Sequence, residues 1–243
     1  MISSAFNAFV YTPLYNGLIL LIDQMPGHDV GFAVIVLTLL VRIALYPLAR
    51  EALRTQLAMR DLAPAVETLK EKYKDNREEQ ARQLFALYRE KGVKPFSSFL
   101  MLLVQIPLLI GLYWVFWKGG LPSVNTELLY AFVSAPETIH MRFLGLIEMS
   151  GRSIVLALFA GATQLVYAQI SMGPRKERPK EQSFSADLAH NMDLQMRYVL
   201  PVLLGFFAYA ASAAVALYFV ASNIFMIGQD IYTKRQMGRS ATD

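Results

Sequence analysis

GFAVIVLTLLVRIALYPL, residues 31–48, decides the fold, because it holds one charged residue, Arg42, among mostly apolar neighbours. As a helix this stretch is about 27 Å long, close to the thickness of the hydrocarbon core of a bilayer. An arginine inside a span costs about 2.5–3.5 kcal/mol on insertion scales. The stretch therefore predicts a membrane helix with a functional arginine, and Thr38 lies one turn away on the same face. The alternative is that Arg42 only extends its guanidinium to the lipid headgroups.

The composition is that of a helical membrane protein with several spans. Of 243 residues, 55% are hydrophobic and 17% are charged, and several apolar runs approach twenty residues. The chain has no cysteine, which excludes disulfides, thiolate metal sites and cysteine nucleophiles. The histidines are scattered and no Walker loop is present, so we expect no enzyme activity, no cofactor and no metal site.

The N-terminal residues 1–29 carry an apolar run at 9–22 that Pro13 and Gly17 interrupt. The run is short for a span, so we expect an interfacial helix that lies on the membrane; a short first crossing is the alternative. The first residues contain no Lys or Arg, which fits neither a secretory signal peptide nor an organellar transit peptide and favours a bacterial protein. The first span follows at 30–48.

Residues 49–95 change to a highly charged composition. Apolar side chains recur at helical spacing over 62–73 and 81–88, and Asp75 is placed as the N-cap of the second helix. The pattern predicts two amphipathic helices with a tight connection, which form an antiparallel hairpin outside the membrane. This hairpin is either a docking arm for a ribosome, a nascent chain or another partner, or a solvated loop.

The rest of the chain predicts four further spans. Gln105 and Pro107 lie inside the second of the five. The apolar run 198–227 would be about 45 Å long as one helix, too long for one crossing, so we expect two short spans that turn near Ser212. The predicted order is a second span at 96–117, an extracytoplasmic segment at 118–151, a third span at 152–171, a cytoplasmic loop at 172–196, a fourth span at 197–211, a fifth at 213–230 and a cytoplasmic tail at 231–243.

The positions of the basic residues predict the orientation. All Lys and Arg other than Arg42, Lys118, Arg142 and Arg152 lie in or beside the hairpin, the loop and the tail. By the positive-inside rule these three segments are cytoplasmic, which puts the N-terminus outside and the C-terminus in the cytoplasm. The net charge of +4 is thus explained by topology, and no direct nucleic-acid recognition is expected.

Several segments, in their order along the chain, resemble one family. They are LTLLVRIALYPL at 37–48, LAPAVETLKEKYKDN, LYREKGVKPF, QIPLLIGLYWVF, FLGL at 143–146, AGATQLVYAQ at 160–169, LPVLLGFF and LYFVASN. Together they resemble the YidC insertases, bacterial relatives of the Oxa and Alb insertases of organelles. The chain is similar to the short form that lacks a large extracytoplasmic domain, and the resemblance covers nearly all of it.

The resemblance implies an all-α fold with five transmembrane helices around a hydrophilic groove, plus the cytoplasmic hairpin. It implies an insertase and chaperone of the bacterial inner membrane that inserts newly made membrane proteins and helps them to fold. The implied partners are nascent membrane proteins and the lipid bilayer, with the ribosome and the Sec translocon as candidates. No cofactor is implied.

The predicted site is this groove, open to the cytoplasm. Arg42 and Thr38 match a groove arginine and a groove threonine of the family, and Gln164 matches a polar groove position. Phe219 stands where the family usually has Trp or Tyr, and Tyr218 beside it is expected to compensate. The complete set of candidate groove residues is Arg42, Thr38, Gln105, Gln164, Tyr167, Tyr218 and Phe219.

Two other functions compete with insertion. An anion channel or transporter would use Arg42 as its ion site, but it predicts further ionisable residues inside the spans, and the predicted spans have none in their interior. A chaperone that folds membrane proteins without inserting them is not separated from an insertase by the sequence.

Overall fold

The computed structural model describes residues 2–94, 97–174 and 190–240, and most of them are helical. The chain forms two compact units, one of Met1–Ala44 with Pro107–Asp243 and one of Leu45–Ile106. Most of the predicted cytoplasmic loop lies outside the described residues. The helices are α1 (Ile2–Phe6), α2 (Thr12–Gln24), α3 (Val30–Ala44), α4 (Tyr46–Asp61), α5 (Ala63–Lys72), α6 (Arg77–Glu90), α7 (Ser97–Trp117), α8 (Ile154–Met172), α9 (Leu200–Ala211) and α10 (Ala213–Ser240).

The described residues contain four helical stretches that are long and apolar enough to cross a membrane. Val30–Ala44 makes a fifth only when it is joined to Tyr46–Asp61 across a break, and α7 supplies a shorter apolar helix, Leu103–Trp117. The chain is therefore an all-α polytopic membrane protein, as predicted. The four stretches are Ser4–Gln24, Ile154–Met172, His190–Ala211 and Ala213–Met237.

The N-terminal helix is longer than the apolar run that predicted it. Helical backbone runs from Ile2 to Gln24 and includes a π-helical turn at Asn7–Tyr11. One side, with Tyr15 and Ile19, is completely buried in the core. The length of this helix permits a crossing, so the interfacial placement and the short crossing both stay open.

The first predicted span ends earlier than expected. We predicted one helix over 30–48, but α3 ends at Ala44 and a new helix begins at Tyr46. Pro47 lies in the first turn of α4. Its ring clashes with the carbonyl four residues earlier, and it has no N–H to donate, so an α-helix cannot run through it undisturbed. Arg42 consequently lies in the last turn of α3.

The unit Leu45–Ile106 contains the predicted hairpin, formed by α5 and α6, together with α4 and the first part of α7. Gln80 Nε2 of α6 donates a hydrogen bond of 2.8 Å to the carbonyl of Lys70, which joins the two arms. The predicted N-cap was Asp75, but the side chain of Asn76 caps α6 and accepts from the N–H of Glu79. Asn76 has the extended backbone that an N-cap requires.

The last two spans are longer than predicted. The stretch before Ser212 is helical from His190 rather than from 197, and α10 continues to Ser240, ten residues into the predicted tail. Between them Ser212 is extended, at the position of the predicted turn. Its hydroxyl accepts a hydrogen bond from the N–H of Val215 and so caps the start of α10.

The core of the first unit lies where α2, α3 and the first half of α10 meet. Every residue from Ser212 to Phe219 is buried. Three of the first four residues of α10 are alanines, whose small side chains let neighbouring helices approach closely. The completely buried large apolar side chains of α2 and α3 are Tyr15, Leu18, Ile19, Ile22, Val30 and Val34.

Residues 118–151, which we call the cap, connect α7 to α8. The cap contains the only described strands, the antiparallel pair β1 (Arg142–Phe143) and β2 (Ile147–Glu148). It is bound to α2 through Tyr15, whose hydroxyl donates to the carbonyl of Gly119 at 3.1 Å and accepts from the N–H of Asn125 at 2.8 Å.

The cap is also bound to α3 and α10. The carboxylate of Asp29, just before α3, accepts from the N–H of Leu144 at 2.9 Å. The N–H groups of Ala213 and Ala214 donate to the carbonyls of Gly151 and Met149. The ends of α2, α3 and α10 are thereby held together by one segment.

Candidate functional site

Arg42 is buried in the first unit and is 4% exposed. Its Nε donates a hydrogen bond of 2.8 Å to Oγ of Ser222 on α10, and one terminal nitrogen donates to the same oxygen. Burial of a guanidinium is costly unless hydrogen bonds replace its hydration. The hydroxyl of Ser222 is thus part of what allows Arg42 to lie between α3 and α10.

Ser222 is the first of two buried polar residues in the middle of α10. The second is Asn223, 1% exposed, whose Nδ2 donates to Thr163 Oγ1 at 3.2 Å and lies 3.4 Å from the carbonyl of Ala160. Both acceptors are on α8. The adjacent pair therefore connects α10 to α3 through Ser222 and to α8 through Asn223.

Ser222, Asn223 and Thr163 were not predicted from the sequence. The signal for the first two was present in the quoted segment LYFVASN, where two polar residues follow a buried apolar run. Ser222 is four residues after Tyr218, hence on the same helical face. Thr163 carried no such signal, because threonine is tolerated in a membrane helix through a hydrogen bond to its own backbone.

Thr38 is buried at 3% exposure, one turn before Arg42. Its hydroxyl donates to the carbonyl of Val34 at 2.7 Å, so its single hydrogen is used within α3. Toward the polar side chains around Arg42, Thr38 can therefore act only as a hydrogen-bond acceptor, through the lone pairs of its oxygen.

Two of the predicted site residues lie on α8. Gln164 and Tyr167 are both half-buried and three residues apart on α8. The hydroxyl of Tyr167 is hydrogen-bonded to the side chain of Ser171 and lies within electrostatic reach of Arg42 and of Asp230. The structure thus brings Tyr167 close to Arg42.

Tyr218 and Phe219 are part of the core. They are 2% and 8% exposed, with their ring centroids 5.4 Å apart. Phe219 also makes an edge contact with Phe207 of α9, at 6.3 Å. Gln105 is half-buried on α7 and belongs to the other unit. Because Arg42, Thr38 and Ser222 are buried, the polar contact between α3 and α10 is closed here, and the open groove stays a prediction.

Comparison with known proteins identifies the family. The sequence model of the family described as the 60Kd inner membrane protein matches residues 21–240. A Clostridium tetani protein named membrane protein insertase YidC is 30% identical over 211 residues, which cover 86% of this chain and 84% of that protein. The chain belongs to the 60Kd inner membrane protein family. The resemblance found in the sequence is confirmed.

Other members of the 60Kd inner membrane protein family are longer than this chain. The proteins named membrane protein insertase YidC from Methylobacillus flagellatus and Neisseria gonorrhoeae are 29% and 28% identical to it. The matches cover 96% and 85% of this chain but only 37% and 33% of those proteins. With its family and its apolar helices, the chain is a multi-pass protein of the bacterial inner membrane.

Two more charged side chains of this family member are buried, Arg197 just before α9 and Asp230 in α10. Both contact the C-terminal end of α8. Arg197, at 3% exposure, donates to Asp193 Oδ2 at 2.9 Å, to Gln169 Oε1 at 3.1 Å and to the carbonyl of Gly173 at 2.8 Å. The contacts of Arg197 reach the end of α8, so this guanidinium has a structural role there.

Asp230 of α10 is the second of these buried charges, at 4% exposure, and its carboxylate is hydrogen-bonded to Ser171 of α8. Nζ of Lys234 donates to the carbonyls of Ile170 and Ser171. No charge was predicted inside the other spans, yet Arg197 and Asp230, at the ends of the predicted spans, are buried. The contacts of Arg197 with polar groups of neighbouring segments are typical of a structural rather than an ion-conducting charge.

Proposed function

We propose that the chain is a membrane protein insertase, which carries hydrophilic tails of new membrane proteins across the bilayer and releases their apolar helices into lipid. The observation that carries the proposal is the burial of Arg42 beside Ser222, between two helices of a membrane protein. A relative that this chain matches over 84% of its length is named an insertase. The charge of Arg42 gives the bundle one internal point that attracts an acidic group.

The mechanism begins with separation of α3 and α10 at the Arg42–Ser222 junction. Separation would admit water to the polar side chains around Arg42 and create the hydrophilic groove, with Thr38, Gln164 and Tyr167 on its walls. A groove halfway into the bilayer shortens the apolar distance that a hydrophilic tail must cross. The attraction between Arg42 and acidic residues of the tail is stronger there than in water, because the effective dielectric constant is lower.

Release of the substrate is driven by the hydrophobic effect. Once the tail has moved, the apolar helix of the substrate slides from the groove into lipid, where its side chains lose contact with water. The membrane potential assists acidic tails that move outward, by about 2.3 kcal/mol per charge per 100 mV. Neither step requires nucleotide hydrolysis by this chain.

The orientation and partners are part of the proposal. The basic hairpin, loop and tail lie in the cytoplasm and the cap lies outside, as the distribution of Lys and Arg predicts. The substrates are nascent membrane proteins, and the cytoplasmic hairpin is where a ribosome or the Sec translocon would dock.

The test compares insertion of single-span substrates that differ only in the charge of the translocated tail. In reconstituted vesicles, protease protection measures the translocated fraction for Arg42→Ala, for Arg42→Lys, which keeps the charge, and for Arg142→Ala as a matched exposed control. We expect Arg42→Ala to reduce insertion of acidic-tailed substrates several-fold, to affect neutral tails less, and to leave the protein level nearly unchanged. Arg42→Lys is expected to be intermediate, and Arg142→Ala to behave as the wild type.

Unchanged insertion of acidic-tailed substrates by Arg42→Ala would overturn the role of Arg42. An anion flux through wild-type vesicles that Arg42→Ala abolishes, with no protease-protected product from either protein, would instead identify an anion channel.

A further inference from the structure

We propose that the tip of the β1–β2 hairpin is a membrane anchor, inserted into the lipid leaflet on the side of the cap. The tip consists of Leu144, Gly145 and Leu146. Leu146 is 83% exposed and Leu144 is 60% exposed. Two exposed leucines that flank a glycine in a tight turn are suited to contact with lipid, which accepts apolar side chains without the cost that water imposes.

The backbone of the tip indicates that the side chain of Leu144 is retained for a purpose. Leu144 has φ 54° and Gly145 has φ 74°, both in the left-handed region. A β-carbon makes this conformation unfavourable, and glycine or asparagine is the usual choice. The N–H of Leu144 is held in place by Oδ2 of Asp29 at 2.9 Å. If the turn served only to reverse the chain, glycine or asparagine in place of Leu144 would make it more stable. We therefore infer that the exposed side chain of Leu144 has a partner.

The tip is held at the end of a membrane helix. Phe143, next to the tip, packs so closely on Gly31 of α3 that a β-carbon there would lie 2.2 Å from its ring. The ring of Phe143 also meets that of Phe32 edge-on, with centroids 5.3 Å apart. The hairpin therefore lies at the level where α3 begins, which the proposed topology puts at the boundary between the hydrocarbon core and water.

Lipid is the partner that the surroundings favour. Phe32 starts an exposed apolar side of α3 that continues with Leu40 and Ile43, and such a side faces lipid in a membrane protein. The hairpin thus extends a lipid-facing surface that already exists. Its base is polar, with Arg142 Nε and Glu148 Oε2 3.8 Å apart and both side chains exposed, as suits a headgroup region.

A protein partner fits the tip less well. Two leucine side chains are far smaller than the roughly 1,000 Å² that a stable protein interface buries. Insertion of the tip would fix the cap relative to the bilayer. The cap is hydrogen-bonded to Asp29, just before α3, and to the start of α10. Fixing the cap would therefore also fix α3 and α10.

The test uses the absence of cysteine from the chain, which lets one introduced cysteine carry a spin label without background. Leu146→Cys is labelled with a nitroxide in vesicles of phosphatidylethanolamine and phosphatidylglycerol, and its collisions with oxygen and with a water-soluble nickel complex are measured. Leu158→Cys, on the exposed apolar side of α8, is the lipid reference, and Glu137→Cys, exposed on the cap, is the water reference. We expect the Leu146 label to collide several-fold more with oxygen than with nickel, as the Leu158 label does.

A Leu146 label that behaves like the Glu137 label overturns the proposal, and so does one protected from both reagents, which would mean a protein contact. In a second variant Leu144→Asn is combined with the Leu146→Cys label. Asparagine tolerates the left-handed backbone, so the fold should be kept, which thermal melting in detergent verifies. We expect nickel collisions to rise several-fold, and no rise would overturn the role of Leu144. Neither measurement requires insertase activity, so the outcome is independent of the proposed function.

Discussion

Nε of Arg42 on α3 donates a 2.8 Å hydrogen bond to Oγ of Ser222 on α10, a residue 180 positions later in the chain. The two side chains are 4% and 1% exposed, so this bond is formed away from bulk water. Hydrogen bonds to charged groups in such surroundings contribute about 1.5–3 kcal/mol. The bond keeps α3 and α10 closed over the charge, and its opening is the first step that the proposed mechanism requires.

Ser222→Ala should destabilise the protein by about 1–3 kcal/mol, because a buried guanidinium loses one of its hydrogen-bond acceptors. Thermal melting in a single detergent measures the loss. Ser222→Thr keeps the oxygen, adds one methyl group and should recover part of the stability. Ser150→Ala is the surface control, since the hydroxyl of Ser150 bonds only the exposed Glu148, and its effect should stay within about 0.5 kcal/mol. Equal melting temperatures for Ser222→Ala and Ser150→Ala would contradict the prediction.

Gly161→Leu should separate α8 from α9. The two helices cross at Gly161 and Gly205, where a β-carbon on Gly161 would lie 3.3 Å from the carbonyl oxygen of Pro201. Forcing a side chain into such a contact costs about 1–3 kcal/mol, and more when backbone must move. The expected result is a lower melting temperature for Gly161→Leu than for Gly161→Ala.

Gly228→Ala is the matched control for this crossing. Among the described residues, no atom outside the local helix backbone lies within 4 Å of a β-carbon built on this α10 glycine. Alanine should therefore stabilise the helix by about 1 kcal/mol through its higher helix propensity. If the melting temperature falls as much for Gly228→Ala as for Gly161→Ala, close packing does not explain why glycine is needed at position 161.

The membrane helices were the part of the fold that the sequence could predict. A chain inside lipid must satisfy its backbone polar groups internally, so long apolar runs become helices whatever their neighbours are. The break after Ala44 was missed because hydropathy does not change at that point, whereas the ring of Pro47 acts through local steric contact. The strands of the cap are two residues long, too short to show the alternation that predicts a strand.

Part of the site was also predictable from the apolar runs of the sequence. Burial of Arg42 follows from its place in an apolar run, but its partner depends on how α3 and α10 are rotated against each other. That rotation is set by packing between segments 180 residues apart, which no local pattern contains. The same packing buries Tyr218 and Phe219 in the core, and their roles in a groove stay a prediction.

Substitution of Asp29 should loosen the cap from α3. Oδ1 of Asp29 accepts from the N–H of Gly31 at 2.7 Å and from that of Phe32 at 3.3 Å, while Oδ2 accepts from Leu144. Asp29→Ala loses all three contacts and should cost about 0.5–2 kcal/mol for the helix cap alone. Asp29→Asn keeps one oxygen but turns an amide donor toward an N–H, so its loss should be smaller.

Hydrogen exchange of the cap distinguishes this explanation from a general loss of stability. We expect the amides of residues 142–148 to exchange faster in Asp29→Ala, with those of α8 unchanged. Uniformly faster exchange in both regions would show that Asp29 stabilises the whole unit rather than the attachment of the cap.

Arg197→Ala should destabilise the C-terminal end of α8 and the segment before α9 by about 1.5–3 kcal/mol, the usual contribution of hydrogen bonds to a charged group, because the ion-pair partner Asp193 is partly exposed. The guanidinium satisfies the carbonyl of Gly173 and the amide oxygen of Gln169, so its removal also leaves these oxygens without a donor. Arg197→Lys keeps the charge but offers a point donor instead of a planar fork, and it should recover only a minority of the stability. Asp193→Asn should cost less than either, because that side chain is 29% exposed and can still accept through its amide oxygen. The three variants are compared by melting temperature at one scan rate in one detergent, and a melting temperature of Arg197→Lys equal to that of the wild type would show that charge alone, not the fork geometry, holds these helix ends together.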